Sequence, residues 1–418
     1  MAFMNDSAKI LVIGAGISGL IAAAHLEKAG LKPIVIEASD RAGGRVKTDR
    51  VNGFLLDHGF QVLLTAYREA QQYLDMNALD LCEFEPGAIL FRNGRRFRIG
   101  DPLRNPALFP QMLFSPVGTI KDKLLIAKLT ATLKATSEEM LFAEGQPSTR
   151  KFLEKYGFSQ RIIDQFFVPF FGGIFLERKL NTSAAMFRFV FKKFAEGNAA
   201  IPRLGMEEIP RQLATAVKAT TFRFGNRVQE VGRDSVSLED GTTAPFDRLL
   251  IATDPAEIVP NLRGQQVMHQ TTTNLYFSSD ISPIDRPIIA LAASPEGIIN
   301  NWVVLSEVSP DYAPQGSALL SVTLRDSLDS LEPDLIDAVK AELRQMTGLS
   351  EWALDFVGRY DIPNALPILD APAYALQPTQ HQLTEHIFLA GDYLLNGSLD
   401  AAMRSGRNGA LALISSLR

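Results

Sequence analysis

Apolar positions recur along the chain at two spacings, and the alternation between them lays out its elements. Lys9–Gly14 (KILVIG) is a short β-branched run closing on glycine, the pattern of a strand buried on both faces, as in a parallel sheet. Ile17–Ala29 carries Ala and Leu at helical spacing, and Gly30 stands where a helix-ending glycine belongs. Pro33–Glu37 (PIVIE) reads as a second strand, so the opening predicts a βαβ unit with a right-handed crossover. Helices are expected over Ile120–Leu133, Thr149–Tyr156, Gln160–Phe167 and Ser183–Phe194. From Thr221 to Thr253 the pattern changes to strands around a turn at Glu239–Gly241, ending in the buried run Arg248–Thr253 (RLLIAT). Short strands follow at Thr272–Phe277, Ile288–Ala292, Asn301–Leu305 and Ala318–Thr323, then an amphipathic helix over Pro333–Thr347. The C-terminus repeats the opening, with a strand at His386–Gly391 and a helix over Asp400–Leu417.

This order predicts an α/β fold in which a Rossmann-like dinucleotide-binding domain is interleaved with an α+β substrate domain of mixed sheet and helices. The expected division is 1–81, 205–265 and 380–418 for the first, and 82–204 and 266–379 for the second. The second includes a Phe-rich helical part, because 14 of the 26 phenylalanines fall between Phe109 and Phe194.

Composition narrows the function classes. With 46% apolar residues the 418-residue chain is no disordered polymer, and a net charge of −5 does not suggest a nucleic-acid binder. The one cysteine, Cys82, excludes an intrachain disulfide and a Cys-based metal site, and it is expected as a buried thiol. No metal is expected. No stretch reaches the ~18–20 apolar residues of a membrane-spanning helix, so a cytoplasmic protein is expected. Charge is segregated, however. Arg92–Lys134 holds nine basic and two acidic residues, a local +7 that would suit peripheral contact with an anionic membrane.

The chemistry is concentrated in motifs at the two ends. Gly14-Ala15-Gly16-Ile17-Ser18-Gly19 is a G-x-G-x-x-G element after a strand and opening a helix. In that setting the glycines permit a tight turn, close approach of a pyrophosphate and close helix packing, while the helix N-terminus offers N–H groups to the anion. Glu37 ends the second strand 18 residues after Gly19, where a carboxylate can accept from a ribose diol.

Beyond Glu37 and Ala38 stands Arg41-Ala42-Gly43-Gly44-Arg45. With this R-x-G-G-R element the chain resembles the flavin-containing amine oxidoreductase superfamily, which includes amine oxidases, protoporphyrinogen oxidase and phytoene-desaturase-like enzymes. The resemblance implies noncovalent FAD, with Gly43 and Gly44 passing under the pyrophosphate and Arg41 and Arg45 in the same element. Ile387–Asp392 (IFLAGD) matches the family's strand-Gly-Asp signature, with Gly391 and Asp392 beside the ribityl chain and pyrophosphate. Gly397–Gly406 resembles its final helix, whose opening Leu399, Asp400 and Ala401 would face the flavin. By the same resemblance Val228 would meet the adenine and Thr253 would pass beside the cofactor. Leu56–Gln61 would approach the flavin ring, so Gly59, Phe60 and Gln61 are candidate contacts and His58 a candidate proton carrier.

No second G-x-G-x-x-G follows, so the expected donor is an organic substrate rather than a nicotinamide nucleotide. Phe166–Leu176 (FFVPFFGGIFL) and the later Leu204-Gly205-Met206 resemble the desaturase-like branch, as does Tyr360–Pro367. No lysine lies between Lys218 and Lys340, where amine oxidases would be expected to carry one, and Tyr393 is the one aromatic candidate near the C-terminal motif. The leading expectation is therefore an FAD-dependent oxidoreductase desaturating an isoprenoid- or carotenoid-like molecule. Alternatives are an amine oxidase, a protoporphyrinogen-type oxidase and a redox-neutral flavin isomerase. From a different class comes a lipid-carrying protein of the GDP-dissociation-inhibitor type.

Overall fold

A computed structural model of the chain describes residues 8–92, 95–100, 117–142, 146–292, 297–325 and 332–417. Its first sheet is parallel and five-stranded, in the order Thr221–Arg223, Ile34–Ile36, Ile10–Ile13, Arg248–Ile251, Ile387–Leu389. The three regions whose strand patterns matched in the sequence thus meet in one sheet. Ile10–Ile13 is fully buried at its centre, as a β-branched run covered on both faces must be. Helix Ile17–Lys28 follows and packs on the long C-terminal helix Leu399–Ser415. Their crossing is close because position 406 lacks a side chain: a Cβ there would lie 2.3 Å from the Ser18 carbonyl oxygen.

The second sheet has seven strands, in the order Asp355–Pro367, His269–Ser279, Ala318–Leu324, Ile299–Val304, Ile289–Ala292, Gly87–Arg92, Arg95–Gly100. All neighbours are antiparallel except Ile289–Ala292 with Gly87–Arg92. One face carries Trp302, Val322 and Leu275, which pack against Leu335, Val339 and Leu343 of helix Glu332–Thr347. The opposite face looks onto the phenylalanine-rich helices, and burial on both faces explains why these strands read as apolar runs.

Those helices begin at polar caps. Thr119 and Asp122 form a reciprocal capping box on Ile120–Ala135, and Ser148, Ser159 and Ser183 cap Thr149–Tyr156, Gln160–Ile162 and Ala184–Glu196. The helix expected over Gln160–Phe167 is longer than its pattern. It widens into a π-turn at Ile163–Phe167 and continues through Val168–Phe175, with Pro169, which has no N–H to donate, just past the wide turn. The 13-residue strand Asp355–Pro367 is not expected from its composition, since Asp, Asn, Gly and Pro disfavour a strand. It is tolerated because it is an edge strand and its pairing shifts register beside Pro363.

Candidate functional site

The ends of the parallel strands, the RxGGR turn and the inner face of the seven-stranded sheet enclose a cavity of about 1180 Å³. That exceeds the ~300–1,000 Å³ of ordinary small-molecule pockets and leaves room for a dinucleotide together with a second molecule. At one end it is lined by Gly14, Gly16, Ile17 and Ser18, with Glu37, Gly43, Gly44, Arg45, Thr253, Gly391, Asp392 and Leu399 around them. Gly14 turns at φ +96°, a left-handed conformation that favours glycine, and Gly16 forms a bridge to Gly43. Glu37 does more than face the cavity. Its carboxylate accepts from Ala15 N (2.7 Å), Ser39 N (2.9 Å) and Ser39 Oγ (2.8 Å), tying the glycine loop to the end of the second strand.

The two distant motifs meet directly. Arg45 Nη2 lies 2.5 Å from Asp392 Oδ1, and Arg45 Nη1 donates to the Ala365 carbonyl at 3.2 Å. The guanidinium thus shares its charge with a carboxylate at the same wall and stays partly exposed to the cavity.

His58, Gly59, Phe60 and Gln61 also line the cavity. The Gln61 amide donates to the carbonyls of Arg45 and His58, which fixes this turn against the RxGGR element. His58 Nε2 lies 2.9 Å from Asp49 Oδ2, and its ring is 4.8 Å from that of Tyr360. Asp49 also accepts from Tyr360 Oη at 2.9 Å and Arg41 Nη2 at 2.6 Å. Burial pushes the Asp49 carboxyl up, but hydrogen bonds from His58, Tyr360 and Arg41 outweigh it and hold the group below its ordinary range. Tyr393 lies against Gly391, and its buried hydroxyl has no partner among the described residues. Burial raises its pKa far above the usual phenol, so it is a neutral group.

Several expected cofactor contacts are absent from the cavity wall. Gly19 lies inside the first helix, where a Cβ would come 1.9 Å from the Gly14 carbonyl oxygen, so its part is packing. Ala38 is exposed on the far side of its turn. Arg41 is held by Glu207 and Asp49, and it braces the turn. Val228 is buried in the antiparallel strand Val228–Val231. Ala401 spends its N–H on the Ser398 hydroxyl at 3.0 Å. Asp400 is buried behind the wall, accepting from Glu69 N at 2.8 Å and Arg404 Nη2 at 2.7 Å. Burial raises the Asp400 pKa while Arg404 opposes the rise. Arg404 in turn reaches Glu69 and lies 3.7 Å over the Tyr374 ring, so this polar knot anchors the last helix.

The cavity's other end is apolar. Phe166, Phe170, Phe171, Phe175, Phe191 and Phe194 line it, and neighbouring rings lie about 5–6 Å apart. Phe167 and Phe187 lie behind them, fully buried in the helical core. The phenylalanine run therefore makes both core and wall. Sequence reasoning missed Asn301 and Thr323, which line this end from the sheet. Cys82, expected as buried, is half-exposed and does not line the cavity.

The residues fit a flavin dinucleotide. A glycine loop at a helix start, a ribose-side carboxylate, an arginine at the opposite wall and a second glycine–aspartate strand converge on one cavity. Residues 17–414 match the family of flavin containing amine oxidoreductases. Protoporphyrinogen oxidase 2 of Arabidopsis thaliana is 30% identical over 165 residues, 40% of this chain and 32% of that protein. The match thus spans about a third of the curated relative's length. A solved oxidoreductase from Methanosarcina mazei shares the fold with a TM-score of 0.74 at 15% identity, over 97% of this chain and 100% of that one. Putrescine oxidase bound to putrescine does so with a TM-score of 0.71 at 17% identity, over 98% and 99%. With the glycine loop, the RxGGR turn and the closing Gly-Asp strand converging on one cavity, the match over residues 17–414 places this protein in the flavin-containing amine oxidoreductase family, with FAD as its cofactor.

Proposed function

We propose that this chain is an FAD-dependent oxidoreductase that takes hydride from a largely apolar organic substrate. The observation that carries the reading is the continuity of the cavity, which runs from the glycine loop past His58–Gln61 into a wall of phenylalanines. When bound, FAD supplies the hydride acceptor and the route for electrons onward. The protein's part is to hold the substrate's C–H bond, exclude water with its aromatic wall and manage the proton. His58, oriented by Asp49, is the proton carrier in this reading, and Tyr393 is a neutral group near the closing motif. FAD is held without a covalent link, Cys82 being outside the cavity wall.

Desaturation of an isoprenoid-like chain is the leading chemistry, supported by the aromatic wall and the absence of lysine between Lys218 and Lys340. A protoporphyrinogen-type oxidation is the second reading, favoured by the similarity to the Arabidopsis protein. Anaerobic mixing of the yellow holoprotein with a polyene, a porphyrinogen and a polyamine tests the order through bleaching of the flavin. Bleaching by the polyamine alone would overturn it, and a colourless protein that cannot be reconstituted would favour the lipid-carrier class.

The same reading places substrate entry at an anionic membrane surface. Ile120 and Leu124, 64% and 68% exposed, line the cavity at the start of helix Ile120–Ala135, beside Lys121 and Lys128. Arg95 and Arg96 are exposed, but Arg98 is paired with Glu85 at 2.7 Å and is not available to a lipid headgroup. Arg104 and the rest of 101–116 lie outside the described residues. No helix among those described is long and apolar enough to cross a membrane. Salt-sensitive co-sedimentation with anionic vesicles, lost on changing Arg95, Arg96 and Lys121 to Gln, tests this entry route. No binding at low salt would refute it.

A further inference from the structure

The apolar end of the cavity has a polar floor. Across the seven-stranded sheet, strand pairing aligns Asn274 with Thr323 and Thr323 with Asn301, and Leu291 is opposite Asn301. The three polar side chains are linked. Thr323 Oγ1 donates to Asn274 Oδ1 at 3.0 Å, and Asn301 Nδ2 donates to Thr323 Oγ1 at a long 3.4 Å. Asn274 is completed by Ser321, which accepts from its Nδ2 at 3.0 Å. Asn301 Oδ1 accepts from Asn300 Nδ2 at 2.9 Å. Asn301 and Thr323, only 3% and 6% exposed, both face the cavity.

Their surroundings place this row among the phenylalanines, away from the glycine loop. Helix Val168–Phe175 approaches so closely at Gly173 that a Cβ there would lie 2.6 Å from Asn300 Nδ2 and 3.0 Å from Asn301 Oδ1. The same helix carries Phe170, which packs against the cluster holding Leu291, the residue opposite Asn301. Capacity is left over, because an amide has two N–H groups and two acceptor positions, and the bonds of Asn301 to Thr323 and Asn300 use one of each. Thr272, two residues before Asn274 on the same strand, also lines the cavity, and its buried hydroxyl has no partner among the described residues. A purely hydrocarbon ligand would leave this capacity dry and unused, at a cost for each group.

Charge points the same way. The carboxylate that lines this end, Glu85, is already held by Arg98 and Arg286 at 2.7 Å each. It therefore has little to offer an ammonium.

We infer that Asn301 and Thr323 form a recognition site for an uncharged hydrogen-bonding group, a hydroxyl or carbonyl, carried on an otherwise apolar substrate. This rests on the apolar-substrate reading and narrows it, since neither a bare hydrocarbon nor an amine satisfies the row. Thr272, on the same strand and face as Asn274, lies next to it.

The test uses the FAD-loaded protein and equilibrium binding, read as a shift of the flavin absorbance band, with no turnover needed. Farnesene, farnesol, farnesylamine and farnesoic acid share one isoprenoid chain and differ in the end group. Farnesol is expected to bind about tenfold more tightly than the other three. That preference should shrink to within about twofold in Asn301→Leu and in the near-isosteric Thr323→Val, each checked for an unchanged flavin spectrum and melting temperature. Equal binding of farnesene and farnesol by the unaltered protein would overturn the inference while leaving the apolar-substrate reading intact. So would tightest binding by farnesylamine or farnesoic acid, or an undiminished preference in both folded variants. Failure of all four to bind would overturn the apolar-substrate reading and the inference with it.

Discussion

Replacing Glu37 separates its clamp on the glycine loop from the ribose contact proposed for it. In Glu37→Ala the Ala15 N–H and the Ser39 N–H lose their acceptor, at 2.7 and 2.9 Å, while the Ser39 hydroxyl, 2.8 Å from the carboxylate, keeps the Arg41 carbonyl at 2.8 Å. Hydrogen bonds to charged groups contribute about 1.5–3 kcal/mol each, but Glu37 is half-buried and water can reach part of the vacated site. A net loss of about 2 kcal/mol from the apoprotein is therefore expected, with the glycine loop loosened. FAD then loses a ribose acceptor and a pre-formed loop together, so its dissociation constant should rise about 10–100-fold. Glu37→Gln retains one acceptor oxygen but turns an amide donor toward an N–H, so it should fall between. The assay is urea unfolding of flavin-free protein beside FAD titration followed by flavin fluorescence. Flavin-free protein is essential because bound FAD would itself raise the apparent stability. Unchanged apoprotein stability in Glu37→Ala refutes the clamp, and unchanged FAD affinity refutes the ribose contact.

Other variants probe neighbouring parts of the molecule. Asp57 is buried, accepts from Thr48, Met206 N and Tyr312, and is pushed by burial from 3.8 up to about 6. Because its folded pKa is raised, its contribution is fully present below pH 3.8 and is lost as pH rises through 6, at most about 3 kcal/mol. The gap in unfolding free energy between the unaltered protein and Asp57→Asn should therefore narrow by up to that amount from about pH 4 to about 7.5, and a pH-independent gap would contradict the shift. Arg45→Met leaves Asp392 without its ion-pair partner in the cavity wall and should release FAD on dialysis; full retention would show that the guanidinium does not hold the cofactor. Phe171→Ala, removing a 1%-exposed ring beside Phe167, Phe175 and Phe187, should cost about 3–4 kcal/mol in urea unfolding, and a loss below ~1 kcal/mol would mean that the wall collapses to fill the space.

The cofactor end is legible in the sequence because its chemistry is local. A glycine loop must follow a strand and open a helix, and the acid must end the next strand, so Gly14–Gly19 and Glu37 declare themselves within about 25 residues. Arg45 and Asp392 are recognisable for the same reason, although their direct contact across 347 positions is not. Arg41 and Asp400 belong to the same motifs yet turn away from the cavity. Arg41 is held by Glu207 from a distant segment, which no local pattern indicates, whereas Asp400 pairs with Arg404 one helical turn on and also accepts from the distant Glu69 N–H. The edge strand Asp355–Pro367 is hidden by its polar composition, which only its position at the sheet margin allows.

The substrate end obeys a different logic. Asn274, Thr323 and Asn301 come from three strands, and each taken alone is an unremarkable polar residue in a β-run. What marks them is that both faces of this sheet are covered, by helix Glu332–Thr347 on one side and the phenylalanine helices on the other. A polar residue in such a strand has no solvent to face, so it must find a partner or a ligand. Register then decides which. Parity along His269–Ser279 puts Thr272, Asn274 and Tyr276 on the inner face, and pairing through Ala318–Leu324 to Ile299–Val304 carries the row into the cavity. A one-residue slip in any of the three strands would turn its polar side chain into the Trp302 cluster instead. The specificity proposed for this protein is therefore a property of strand registration, and the same Asn and Thr residues in a shifted pairing would be buried defects.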